Sequence, residues 1–184
     1  MSSFLFGFAL VLLVSLGARD QLLVARLSGR TGPGLLLAGA LAAILSACLM
    51  AWAATTIADL LFPAAKQMLV AFALLAAAVE LAWPSRDKTP QEPTHSIMAA
   101  FVVLIARQIG DAGRFMIFAL AAATALPWMV AAGGALGGIS ALTLGWIMGA
   151  DLEKALPLKL VRRVLAGALL IAAITIGLTA RGIL

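Results

Sequence analysis

Apolar residues gather along this chain into long runs separated by short polar or proline-bearing gaps. Six runs can be read, at residues 4–27, 35–57, 64–83, 97–124, 128–149 and 158–180. A bilayer-crossing helix needs about 20 mostly apolar residues, so each run predicts one transmembrane span. Gly32, Pro33 and Gly34 mark the turn after the first span, and Asp59 and Pro63 follow the second. The third stops at Pro84, while Pro127 and Pro157 punctuate the later gaps. One polar stretch interrupts the pattern, SRDKTPQEPTHS at residues 85–96, too short and proline-rich to fold alone. The first run has no basic segment ahead of it. It continues through Gly17, Ala18 and Arg19 into Leu22, Leu23 and Val24, which predicts a retained span rather than a cleaved signal peptide.

Composition agrees with that pattern. The 184 residues are 64% hydrophobic and 11% charged, against about 45–50% and about 25% in soluble domains. Thirteen Lys and Arg against eight Asp and Glu give a formal charge of +5. The basic residues flank hydrophobic runs, where they set membrane orientation, so no nucleic-acid partner is expected. With six spans both termini share one side. Arg26, Arg30, Arg86, Lys88, Lys154, Lys159, Arg162 and Arg163 fall on the opposite side, and only Lys66 and Arg181 on the terminal side. The positive-inside rule then places residues 85–96 in the cytoplasm and both termini outside. His95 lies in that loop and reads as a solvated side chain. The single cysteine, Cys48, cannot form an internal disulfide.

The two halves repeat one pattern. At one common offset, Pro33 aligns with Pro127, Gly39 with Gly133, Ser46 with Ser140, Asp59 with Glu153 and Pro63 with Pro157. One residue less aligns Ser15 with Gln108 and Gly17 with Gly110. Three spans per half is an odd number, so the copies must run in opposite orientations. The expected fold is an all-α integral membrane protein of six transmembrane helices, arranged as two inverted-topology three-helix repeats. Residues 1–84 and 97–184 form the repeats and 85–96 the loop between them. Many secondary transporters are built this way, with substrate bound near the midplane.

Ionisable groups stand at equivalent places in the two repeats: Arg19 and Asp20 in the first span, Arg107, Asp111 and Arg114 in the fourth. Each costs about 2.5–3.5 kcal/mol at a helix centre, whereas a large apolar residue returns only about 0.3–0.6 kcal/mol. Such groups must pair or face a water-filled cavity, and they are the first functional candidates. Arg107, Asp111 and Arg114 are spaced i, i+4, i+7 and so share one face of the fourth helix, with Gln108 close by, and Asp111 can pair within its own helix. Arg19 shares the face of Ser15, while Asp20 points roughly 100° further round. Gly133, Gly134, Gly137 and Gly138, like Gly39 and Ala43, read as close helix packing. Glu80, near Trp83 at the end of the third span, reads as interfacial.

The stretch SLGARDQLL from Ser15 resembles the signature Glu-x-Gly-Asp-Lys-Thr-Gln-Leu, and QIGDAGR from Gln108 resembles its second copy. The signature belongs to the Golgi- and chloroplast-type divalent-cation/proton antiporters and their bacterial relatives, which handle Mn²⁺ and Ca²⁺. The LPLKLVRR run from Leu156 is similar to that family's loop before its last helix. The likeness covers nearly the whole chain and implies six core helices in two inverted halves. It also implies one acidic motif per half and a place in a bacterial inner membrane. It nominates Ser15, Gly17, Arg19, Asp20, Gln21, Arg107, Gln108, Gly110, Asp111 and Arg114 as residues of an ion site. Mn²⁺ or Ca²⁺ would be the transported ion, exchanged for protons, and Asp111 the metal ligand.

The departures from the signature are physical ones. Ser15 and Ala18 stand where the family has its first carboxylate pair, and Gln108 replaces the third carboxylate. Only Asp111 stays in register, while Asp20 falls on the motif's Thr, turned away unless Gly17 bends the helix. Hard cations want oxygen ligands, and an arginine beside the site repels them. One expectation follows: Arg19 reaches across the interface to Asp111 and stands where the family's ion sits. Transport with Asp111 as the ion- and proton-responsive carboxylate is the first functional reading. The surplus of arginine could instead favour an anion or an acidic solute. The alternative is a non-transporting paralogue closed by an internal Arg–Asp bridge. Enzymatic activity is not expected, since no metal cluster, phosphate loop or activated nucleophile can be read. Expected partners are the lipid bilayer, the transported ion and protons, and a second copy or a paralogous membrane protein.

Overall fold

The computed structural model describes residues 1–28, 32–83, 97–152 and 157–183. The linker at 84–96, with Arg86, Lys88 and His95, lies outside the described residues, as do Arg30, Glu153 and Lys154. The described residues form eight α-helices and no strand: α1 Ser2–Val14, α2 Arg19–Leu27, α3 Gly34–Ala58, α4 Pro63–Ala82, α5 Ile97–Ile109, α6 Ala112–Ala123, α7 Pro127–Met148 and α8 Leu158–Ala180. A 3₁₀ turn, Gly149–Asp151, follows α7. Pro63 and Pro127 open their helices where a missing N–H costs nothing.

Four helices, α3, α4, α7 and α8, are each long and apolar enough to cross a membrane. The pair α1 and α2 makes a fifth candidate span bent by 66°. The expectation of six continuous spans is therefore corrected at two places. The first span breaks over residues 15–18, and the fourth breaks at Gly110 and Asp111 into α5 and α6, of 13 and 12 residues. Local chemistry explains both breaks. Gly17 takes φ +75°, a left-handed conformation that only glycine adopts at little cost. Asp111 is extended and its carboxylate accepts the Gly113 N–H at 3.0 Å, so it starts a new helix rather than continuing the old one. Hydropathy predicts an unbroken fourth helix because it responds to side chains and ignores the backbone path.

The long helix α3 packs on α5, α6 and α7. Helix α1 packs along α7 and touches α6, α2 packs on α7 and α5, and α4 lies between α6 and α8. In lipid this packing relies on close fit rather than on water exclusion. Alanines supply the fit on α3, where Ala42, Ala43, Ala47, Ala51 and Ala54 are fully buried. Glycines supply it between α1 and α7: a methyl on Gly133 would run into the Phe4 carbonyl, and one on Gly7 would come within 2.7 Å of the Val130 carbonyl. Helix α8 buries only Arg162, Ala166 and Ala173, so most of it faces outward.

Candidate functional site

The two helix breaks meet inside the bundle. A Cβ on Gly113 would lie 2.9 Å from Ser15 Oγ and 3.0 Å from Asp111 Oδ2, so the first motif's serine and the second motif's aspartate face one point. Both side chains are buried. The glycine leaves room for them, since any larger residue at 113 would displace one or the other.

Gln21 secures the first break. Its Oε1 accepts the Gly17 N–H at 2.7 Å, and its Nε2 donates to the Ala141 carbonyl of α7 at 2.7 Å. The amide therefore satisfies a backbone donor freed by the break and ties it to a neighbouring helix, as buried polar groups require. Gly145 admits this side chain, because a methyl there would stand 2.8 Å from Gln21 Cγ. Asp20 is buried in the first turn of α2, where a carboxylate suits the helix N-terminus. Its Oδ1 accepts the Gln21 N–H at 2.8 Å.

The second break brings in α3. Arg114, only 1% exposed, donates from Nε to Ser46 Oγ at 2.7 Å. The Ser46 hydroxyl lies 2.7 Å from the Ala42 carbonyl and 3.1 Å from Gln108 Oε1. Two buried donors at this point, Gln108 Nε2 and Arg114 Nη2, have no hydrogen-bond partner among the described residues. The guanidinium lies against Gly138 of α7, whose missing side chain makes its space. Asp20 and Asp111 both act on Arg114 electrostatically. Among the described residues, however, no carboxylate comes within ion-pair distance of it.

A second polar cluster adjoins the first. Arg162 of α8 donates to the Gly17 carbonyl at 3.0 Å and to the Glu80 carbonyl at 3.1 Å, and pairs with the Glu80 carboxylate at 3.2 Å. Arg19 approaches the same carboxylate at 3.7 Å. Arg107 is half-buried, with Nη1 3.4 Å from the Arg19 carbonyl.

Several expectations change accordingly. Arg19 does not reach Asp111: it pairs with Glu80, because the bend at Gly17 carries the start of α2 toward α4. Arg107, Asp111 and Arg114 do not share a face of one helix, since the break separates Arg107 from the other two. Glu80 stands near the end of its span as expected but is buried and paired rather than solvated, and Arg162 is more than an orientation charge, for it reaches into the bundle. Ser46, noted only as a repeat position, is the partner of Arg114. Cross-helix partners such as these leave no local spacing to find. The usable signal was that an ionisable residue inside a span seeks a partner, and it applied to Glu80 as well. Among the described residues, no group of three or more His, Cys, Asp or Glu side chains could hold a metal ion.

A helical membrane bundle with two broken helices meeting at a buried polar centre has the construction of a secondary transporter. Residues 96–182, just under half of the chain, match the family model described as Divalent cation/proton antiporter GDT1, so that part of the chain is similar to this antiporter family. The matched segment contains the second motif, Gln108 to Arg114. No curated protein and no solved structure matches the chain.

Proposed function

We propose that the chain is a proton-coupled secondary transporter in which the two breaks form one ion site, with Asp111 as its proton- and ion-responsive carboxylate. The observation that carries this reading is the meeting of Ser15 and Asp111 at Gly113. The pairing of α1 with α6 and of α2 with α5 supports an inverted relation between the halves, since each broken helix then lies beside its counterpart running the other way. Mn²⁺ or Ca²⁺ would be the cargo, with Asp111, Ser15, Gln108 and backbone oxygens near Gly17 and Gly110 as hard ligands. Fewer carboxylates than in the family's signature imply weaker binding. Arg114 weakens it further, to the extent that Asp20 leaves its charge uncompensated.

The test is uptake of Mn²⁺ and of Ca²⁺ into proteoliposomes under an imposed pH gradient. Flux above that of protein-free vesicles, lost in Asp111→Asn while the variant stays folded, is the expected result. The burial of Arg114 against Ser46 favours a second reading, in which a fixed guanidinium takes the ion's place and the protein is structural. No flux from the unsubstituted protein, with thermal stability lost in Arg114→Gln, would decide for that reading.

A further inference from the structure

A groove of about 530 Å³ opens on the outer surface of the bundle between α4 and α6. Phe72, Leu75, Val79 and Phe115 line its apolar length, and Arg19 and Trp83 stand at its polar end. We propose that this groove binds one anionic phospholipid, with the phosphate on the Arg19 guanidinium and an acyl chain laid along Phe72, Val79 and Phe115.

Charge, depth and shape converge on that occupant. Arg19 is 41% exposed, whereas the Glu80 carboxylate beside it is 8% exposed and already paired with Arg162. A guanidinium presents five N–H donors in a planar fork, and the contact with Glu80, from Nε at 3.7 Å, is longer than a hydrogen bond. Phosphate is the ligand that such a fork takes in bidentate fashion. Glu80 stands two residues before the end of α4 at Ala82, which is roughly 3 Å of helix rise. The Arg19 head therefore lies at the margin of the span, near the depth of lipid headgroups. Trp83, 64% exposed, marks the same level, where tryptophan is enriched.

The surrounding charge favours an anion. Arg162 fixes the start of α8 at this end, so the exposed Lys159 and Arg163 of its first turns stand there too. A cluster of basic residues at a membrane surface attracts anionic lipid. From Phe72 to Val79 the groove follows α4 for about 10 Å, a length that suits a stretch of acyl chain. A free phosphate would gain nothing from Phe72, Leu75 or Phe115. A zwitterionic lipid would gain the apolar contacts but less from the basic end.

The experiment uses the full chain in phosphatidylcholine nanodiscs, with Trp52, Trp128 and Trp146 replaced by Phe so that Trp83 reports alone. Brominated phosphatidylglycerol is compared with brominated phosphatidylcholine as a quencher. Half-quenching at an about fivefold lower mole fraction of phosphatidylglycerol is expected, the worth of one favourable charge contact at a membrane surface. Arg19→Gln should erase that preference, and Ala76→Phe, which fills the groove, should weaken quenching by both lipids. Equal quenching by the two lipids, or a preference that survives Arg19→Gln, overturns the proposal, as does its loss on adding inorganic phosphate alone. Native mass spectrometry of the protein with all its tryptophans gives an independent readout. It should retain phosphatidylglycerol in preference to phosphatidylcholine, and Arg19→Gln should not; no preference in the unsubstituted protein counts against the site.

Discussion

At Glu80, two arginines from distant parts of the chain share one carboxylate. Arg162 is as buried as Glu80 itself, at 8% side-chain exposure, and the contact is 3.2 Å. Removing one member of such a pair strands the other in a poorly solvating interior. Arg162→Leu is therefore expected to destabilise the protein by about 3–5 kcal/mol, read as a fall in thermal midpoint in detergent. The neutral pair Glu80→Gln with Arg162→Gln should restore much of the loss. The two motif glycines make a sharper contrast. Gly17 has a left-handed backbone and a Cβ there would stand 3.3 Å from Leu158 Cβ, so Gly17→Ala is expected to cost about 1–3 kcal/mol. Gly110 has neither constraint, since its φ is not positive and a Cβ would meet nothing within 4 Å. Gly110→Ala should change stability by no more than about 0.5 kcal/mol, although it occupies the equivalent motif position. Equal losses at the two sites would contradict this account of the breaks.

Between elements, the contact of α1 with α7 rests on backbone approach. Gly133→Ala places a methyl against the Phe4 carbonyl and should cost about 1–3 kcal/mol, as overpacking does. Gly167 on α8 has open space around it, so Gly167→Ala serves as the control and should leave the melt unchanged. This close packing was legible in the sequence because small residues at helical spacing have few other uses in a membrane. The long spans were legible too: apolar runs closed by Pro63 and Pro127 leave a bilayer helix little choice. What the runs concealed was the backbone path within them. Asp111 reads as a charge inside a helix until its carboxylate is seen capping the next one, and an aspartate satisfies either description equally well on paper. The neighbours of Arg114 and Glu80 were illegible for a different reason, since Ser46 and Arg162 are remote in the chain and no spacing rule reaches them.

For the molecule as a whole, basic residues outside the polar centre mark its two ends. Arg162 places the start of α8 beside Glu80 and the end of α4, while Lys66 and Thr179 line one groove at the opposite end, near Arg181. We expect the end with Lys159 and Arg163 to be cytoplasmic. In a Cys48→Ser background, Arg181→Cys should react with a membrane-impermeant thiol reagent applied to intact cells, and Lys159→Cys only in inverted vesicles. The reverse pattern would overturn the orientation.

The hydrogen bond from Arg162 to the Gly17 carbonyl joins residues 145 positions apart. A chain growing into the membrane inserts its first hairpin long before α8 has been translated. Until then the broken turn lacks its donor and Glu80 lacks its principal cation, leaving Arg19 as the sole escort for that carboxylate. Messages truncated ahead of α8 should thus yield short-lived products, recognised by membrane quality control through an under-compensated charge near the middle of the polypeptide, far from the lesion.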